Sequence, residues 1–252
     1  MKVLLLPALL IAYLLAITSC QLAPIAPDGE VKPTPDVDPV ALPGTTETIG
    51  TPKVFTSVLW LGDSQSVGDH GLGETLFKAS PLAQVPFSWV ARCSARPSQL
   101  KTGYKSSCGS KTIPASLGAA PKVEEMVKAK AYDLVIVQAA GNLLGYNNSF
   151  VTKDVSSLLS VIPDSIPCVW VGLTERVGTN SFDESKLNDL LKAAVQPRCT
   201  YVDLLPLGAY PRSASGKALR GDGTHLNSSY GEAFKFLMNK YAVAFNQALS
   251  NL

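Results

Sequence analysis

Two histidines are all that the 252-residue chain contains, so any chemistry that needs an imidazole near neutral pH must draw on His70 or His225. Charge of either sign is scarce. With 22 Lys and Arg against 20 Asp and Glu the net charge is +2, and no block of like charges occurs, which excludes a basic footprint for nucleic acid or an anionic membrane surface. No apolar run reaches the roughly 20 residues that a membrane-spanning helix needs. The longest, Val3 to Ile17, stops at Thr18-Ser19-Cys20. No internal repeat is visible. None of the cysteine spacings fits a zinc site, so no metal is expected.

The segment that is too short to span has the dimensions of an export signal, with Lys2 as its positive end. Ile17-Thr18-Ser19-Cys20 resembles a bacterial lipobox, which makes 1–19 a lipoprotein-type signal peptide and Cys20 the lipidated residue. The plainer alternative is an ordinary secretory signal cut near the same place. Gln21 after the cysteine points to sorting to the outer membrane if the host has one. The expected location is therefore extracytoplasmic and lipid-anchored, with the membrane touched by the lipid alone. Residues 20–50 then turn to Pro, Thr and Asp, with six prolines from Pro24 to Pro43. Such a stretch has too little apolar surface to offset its ordering entropy and reads as a tether. The folded domain is expected over 51–252. Setting Cys20 aside leaves Cys93, Cys108, Cys168 and Cys199, an even number that suits disulfides in an oxidising compartment. Three pairings are open; Cys168 with Cys199 is within reach if they begin neighbouring parallel strands, and Cys93 with Cys108 would then close a loop.

Beyond Pro52 short apolar runs alternate with helical stretches. Strands are expected at Val54–Leu61, Val85–Val90, Asp133–Gln138, Cys168–Gly172 and Cys199–Leu204. Helices are expected at Ser66–Ala79, Ala119–Ala129, Val151–Val161, Glu184–Val195 and Ser228–Ala248. Pro121 would sit in the first turn of the second helix. Alternation of this kind implies an α/β fold with a parallel sheet of about five strands and helices on both faces. Ligands of such sheets bind beyond the carboxyl ends of the strands.

The chemistry-bearing residues fall there. Ser64, in Gly62-Asp63-Ser64-Gln65-Ser66, follows the first strand on a turn into a helix, and its own N–H can face a developing oxyanion. Taken alone, such a serine is a helix cap. Gly221-Asp222-Gly223-Thr224-His225 puts a carboxylate and an imidazole three residues apart, so Asp222 can orient His225 as the base for the Ser64 proton. His70 lies within an expected helix six residues past Ser64 and reads as a packing residue. Asn142, in Ala140-Gly141-Asn142, follows the third strand.

Gly62-Asp63-Ser64, Asn142 and Asp222-Gly223-Thr224-His225, in that order over residues 53–250, resemble the SGNH (GDSL-type) hydrolase superfamily. The resemblance implies a three-layer, flavodoxin-like fold, with Ser64 as nucleophile, His225 as base and Asp222 as its orienting acid. It also implies an oxyanion hole built from Asn142 and backbone N–H groups, without metal or organic cofactor. Two departures stand out. Ala140 and Leu143 replace a Gly and an Asp of the third motif. The region Cys93-Ser94-Ala95-Arg96-Pro97 has no Gly where the second motif supplies an oxyanion donor. The backbone N–H of Ala95 is taken as that donor, with Ser94 and Arg96 as alternatives; Pro97 has none to give.

The expected function is hydrolysis of carboxylic esters, acetyl esters foremost, through an acyl-Ser64 intermediate, on an ester-bearing small molecule or an acetylated glycan of the cell envelope. A lipase or lysophospholipase, an O-acetyltransferase on the same triad, and a non-catalytic glycan-binding or envelope-assembly module are the alternatives. No long apolar insertion is present to form a lipase lid. Tyr104, Tyr146, Asn147 and Arg176 fall in expected rim loops and read first as ordinary loop residues.

Overall fold

A computed structural model describes residues 53–66, 72–105, 121–174, 181–207 and 231–252. The compact unit runs from Ile49 to Leu252. Five strands, β1 (Val58–Gly62), β2 (Phe87–Ala91), β3 (Leu134–Gln138), β4 (Cys168–Val171) and β5 (Thr200–Val202), form one sheet in the order β2-β1-β3-β4-β5. All four pairings are parallel. This is the flavodoxin-like order, in which the chain reverses its direction of travel across the sheet between β1 and β3. The expected three-layer α/β fold is what the chain adopts.

The apolar runs explain the two faces. Leu59, Leu61, Val135, Val137 and Trp170 point to one side, where α2 (Pro97–Thr102), α3 (Val123–Ala129), α4 (Asn148–Leu159) and α5 (Ser181–Val195) cover them. Val58, Trp60, Leu134, Ile136, Val169 and Val171 point to the other, under α1 (Leu72–Lys78) and α6 (Gly231–Ser250). Every residue of β1 and β3 is buried, as expected of strands covered on both faces.

Several boundaries differ from the sequence reading for identifiable reasons. β1 begins at Val58, four residues late, because Thr56 and Ser57 bend to the Asp133 carboxylate, and Val54 stays 82 % exposed. The expected helix from Ser66 is a short 3-10 turn over Ser64–Ser66, with α1 starting at Leu72. Pro121 lies outside α3, whose N-cap is Lys122. The helix α2 is new. It carries Pro97 in its first turn, and its Gln99 side chain accepts from the Arg96 N–H at 2.8 Å. α4 starts three residues early because the Asn147 side chain caps it, accepting from the Phe150 N–H at 2.9 Å.

Cys168 and Cys199 are disulfide-bonded with their Cα atoms 4.5 Å apart. Val169 pairs with Thr200, so the two cysteines sit side by side where β4 and β5 begin. Cys93 is disulfide-bonded as well, while Cys20 and Cys108 lie outside the described residues.

Candidate active site

The end of β1 sets the site. Gly62 is the last residue of the strand, and a Cβ there would lie 2.2 Å from the Ser66 Cβ, so only glycine lets the chain curl back this tightly. The Ser66 N–H closes that curl on the Asp63 carbonyl at 3.0 Å. Asp63 is buried and acts as a tie. Its N–H donates to the Gln138 carbonyl at 2.9 Å, and its carboxylate accepts from the N–H groups of Gln65 at 2.9 Å and Gly141 at 3.2 Å. The loop after β1 is thereby fastened to the loop after β3 at the reversal of strand order.

Ser64 stands between these ties, half-buried. Among the described residues, no group hydrogen-bonds its hydroxyl or its N–H. Its neighbours Asp63, Gln65 and Ser66 are all buried, so Ser64 is the accessible residue of this turn. A small cavity lies at the ends of β1, β3 and β4, between Asp63, Gln65, Gly141, Gly172 and Thr174; the neighbours of Ser64 on either side line it, and Ser64 itself does not.

Asn142, in the short 3-10 turn Gly141–Leu143, donates from Nδ2 to the Ala95 carbonyl at 3.1 Å. One hydrogen of its amide is thus held by the backbone and the second remains for a ligand. A separate bond corrects the expectation for Ala95. Its N–H does not face the cleft but closes a turn on the Arg92 carbonyl at 3.2 Å, and the residue is fully buried. The Arg96 N–H is likewise held, by Gln99. Ser94 is the one of the three whose N–H no described residue accepts. It is exposed and has φ of 59°, the left-handed conformation that glycine adopts without strain. Gly62 pairs with Ala91 in register, and the Arg92 N–H donates to the Gly62 carbonyl at 3.1 Å. The loops that carry Ser64 and Ser94 therefore leave the ends of adjacent, paired strands.

Beneath Ser64 lies a polar frame that sequence reading did not find. Ser66 Oγ donates to Gln138 Oε1 at 2.5 Å and accepts from Trp60 Nε1 at 3.1 Å, while Trp89 Nε1 donates to the Ser66 carbonyl at 3.0 Å. The two indoles stack with ring centroids 4.8 Å apart and 11° between planes. The available signal was Gln138 itself, a polar residue closing the apolar run Leu134-Val135-Ile136-Val137.

His225, Asp222, Arg176 and His70 lie outside the described residues. Asn147 is the α4 cap; Tyr104 packs on the core, and Tyr146 is exposed beside Arg96.

No family profile and no curated protein matches the chain. Solved structures do resemble it at low identity. A family 3 carbohydrate esterase from Clostridium thermocellum shares 13 % identity over 77 % of this chain and 98 % of its own, with a TM-score of 0.49. A carbohydrate acetylesterase from Sinorhizobium meliloti shares 11 % over 75 % and 96 %, also at 0.49. A member of the lipolytic G-D-S-L family from Veillonella parvula shares 12 % over 73 % and 95 %, at 0.47. Likeness at this level leaves activity to be argued from this chain's own residues.

Proposed function

We propose that the chain is a serine esterase of SGNH type that hydrolyses carboxylic esters through an acyl-Ser64 intermediate. The observation that carries the reading is the unengaged Ser64 hydroxyl at the strand-order reversal, with donors from two neighbouring strands' loops on the same rim. Ser64 Oγ attacks the ester carbonyl carbon, and its proton passes to His225, which Asp222 orients. The carbonyl oxygen becomes an oxyanion facing the N–H groups of Ser64 and Ser94 and the free hydrogen of Asn142 Nδ2. Collapse breaks the bond to the alkoxide, which leaves with the proton from His225. Water, deprotonated by His225, then attacks the acyl carbon and releases the carboxylic acid and Ser64.

The Ser94 amide takes the place assigned from sequence to Ala95, since a left-handed backbone at that position does what glycine does elsewhere. An export signal over residues 1–19, with lipid attached at Cys20, would place the enzyme against envelope glycans and favour acetyl esters on sugars as substrates.

The test is release of p-nitrophenol from p-nitrophenyl acetate and longer acyl esters by the full chain and its Ser64→Ala variant. A burst in the wild type and a loss of at least about a thousandfold in the variant are expected. Equal turnover by the two proteins, or inertness of both on these esters and on acetylated glycans, overturns the reading in favour of a binding module.

A further inference from the structure

One side of the rim is built from residues that neither the nucleophile nor the oxyanion donors use. Gly145, with φ of 86° and open space where a Cβ would be, turns the loop after β3 outward into Tyr146. Tyr146 is 49 % exposed, although one face of its ring stacks on Phe150 with centroids 4.3 Å apart and 14° between planes. A ring covered on one face and still half-exposed offers its other face to solvent. Against this pair leans Arg96, its guanidinium carbon 4.9 Å from the Phe150 centroid and 5.4 Å from that of Tyr146.

Arg96 is fixed but not consumed. Buried Asp154 lies 3.7 Å from Arg96 Nη1, beyond hydrogen-bonding distance. Both Asp154 oxygens are taken by Ser98, one by its N–H at 3.2 Å and the other by its hydroxyl. Asp154 therefore holds the guanidinium in place by charge alone. Among the described residues, none accepts a hydrogen bond from it, and the side chain is 24 % exposed. A guanidinium with its planar set of donors unmet suits bidentate binding of an oxyanion.

The position ties this pair to the reaction. Arg96 directly follows Ala95, whose carbonyl grips Asn142, and Tyr146 donates its N–H to Leu143 of the turn that carries Asn142. Arg96 and Tyr146 thus stand next to the groups that hold Asn142.

We infer that Arg96 and Tyr146 form a subsite for an acidic sugar residue, so that the substrate is an O-acetylated glycan bearing carboxylates. The inference rests on the esterase reading. The flat, outward ring of Tyr146 stacks against the C–H face of a pyranose, and the sugar carboxylate meets Arg96. One guanidinium, half offset by Asp154, matches a monoanion; a phosphate dianion would call for more positive charge than Arg96 supplies.

The test compares acetate release by the full chain from O-acetylated polygalacturonate and from the same polymer after its carboxylates are reduced to neutral alcohols. At low salt the wild type is expected to favour the acidic polymer about tenfold or more in kcat/KM, a preference that 0.5 M NaCl reduces. Arg96→Gln is expected to collapse the ratio toward one, and Arg96→Lys to restore it only in part, because an ammonium lacks the fork. Tyr146→Ala is expected to raise KM on both polymers and Tyr146→Phe to leave it low. A wild-type ratio near one, or a ratio that Arg96→Gln leaves unchanged, overturns the subsite. Should Arg96→Gln fail to fold, the wild-type ratio and its salt dependence decide alone. Failure of the esterase reading looks different, with no acetate from either polymer and no hydrolysis of p-nitrophenyl acetate.

Discussion

Ser66 Oγ and Gln138 Oε1, seventy-two residues apart in sequence, meet at 2.5 Å directly beneath the turn that presents Ser64. The bond joins the exits of β1 and β3, and the stacked indoles of Trp60 and Trp89 close around it. A Cβ on Gly73 would come within 3.0 Å of both partners, so α1 is packed against the pair with no room to spare. Ser66 touches no substrate in the proposed reaction; it positions the residue that does.

Ser66→Ala tests that role. It strands Trp60 Nε1 and Gln138 Oε1 in a buried site, a loss of about 1–3 kcal/mol in stability. If the frame also sets the Ser64 turn, kcat on p-nitrophenyl acetate falls while KM stays near the wild-type value. Ser66→Thr keeps the hydroxyl and is expected to recover part of kcat. A variant that melts early yet keeps its full kcat at 25 °C would show the frame to be structural only.

The Cys168–Cys199 disulfide makes the opposite prediction. It joins β4 and β5 where they begin, at the far end of the strands from Ser64 and Asn142. The bond spans 31 residues of chain, for which loop-closure entropy gives about 3–4 kcal/mol. Replacing both cysteines by alanine is expected to lower Tm by about 10 °C and to leave kcat/KM at 25 °C within twofold. Calorimetry and one kinetic assay suffice to check both halves; a large loss of kcat/KM in a folded variant would contradict it.

What the sequence disclosed follows from which signals are local. β3 was legible because Leu134 to Val137 is continuously apolar, and the three-layer fold followed from the alternation of such runs with helices. Ser64 and Asn142 stood out because they sit just past strand ends. The start of β1 was not legible, since it depends on Asp133, which lies 77 residues from Thr56. The helix α2 was overlooked because it has only six residues and one buried leucine, Leu100, although Pro97 followed by Gln99 marks a helix start. Of the three N–H groups, that of Ala95 is held by a backbone hydrogen bond and Ser94 is marked by a positive φ, neither of which side-chain identity encodes; the hold on Arg96 is Gln99's, which the sequence did offer.

Ser94 yields a prediction from that φ. A serine in the left-handed region carries a strain of about 1 kcal/mol that glycine does not. Ser94→Gly keeps both the N–H and the conformation, so full esterase activity is expected, with stability unchanged or slightly raised. Ser94→Val puts a β-branched residue where φ is 59° and is expected to move the N–H and lower kcat at least tenfold. Activity in the valine variant equal to the wild type would remove Ser94 from the oxyanion site.

Asp133 does at the start of the β1–β3 pair what Asp63 does at its end. Its carboxylate accepts from the Thr56 N–H at 2.6 Å, the Thr56 hydroxyl at 2.7 Å and the Ser57 N–H at 3.0 Å, and its own N–H returns to the Ser57 carbonyl at 3.0 Å. Burial works to raise the pKa of this carboxyl, but the hydrogen bonds from Thr56 and Ser57 outweigh it, and the group titrates below the ordinary aspartate range. A carboxyl with a depressed folded-state pKa adds stability above its unfolded value, about 3.9. That stability is lost as the pH falls through the folded value. Asp133→Ala is therefore expected to cost about 1–2 kcal/mol at pH 7, and the gap to the wild type is expected to narrow steadily below about pH 4. Urea denaturation at pH 7, 5 and 3.5 measures it. A gap of the same size at all three would mean that Asp133 contributes through packing, with its charge irrelevant to the clamp.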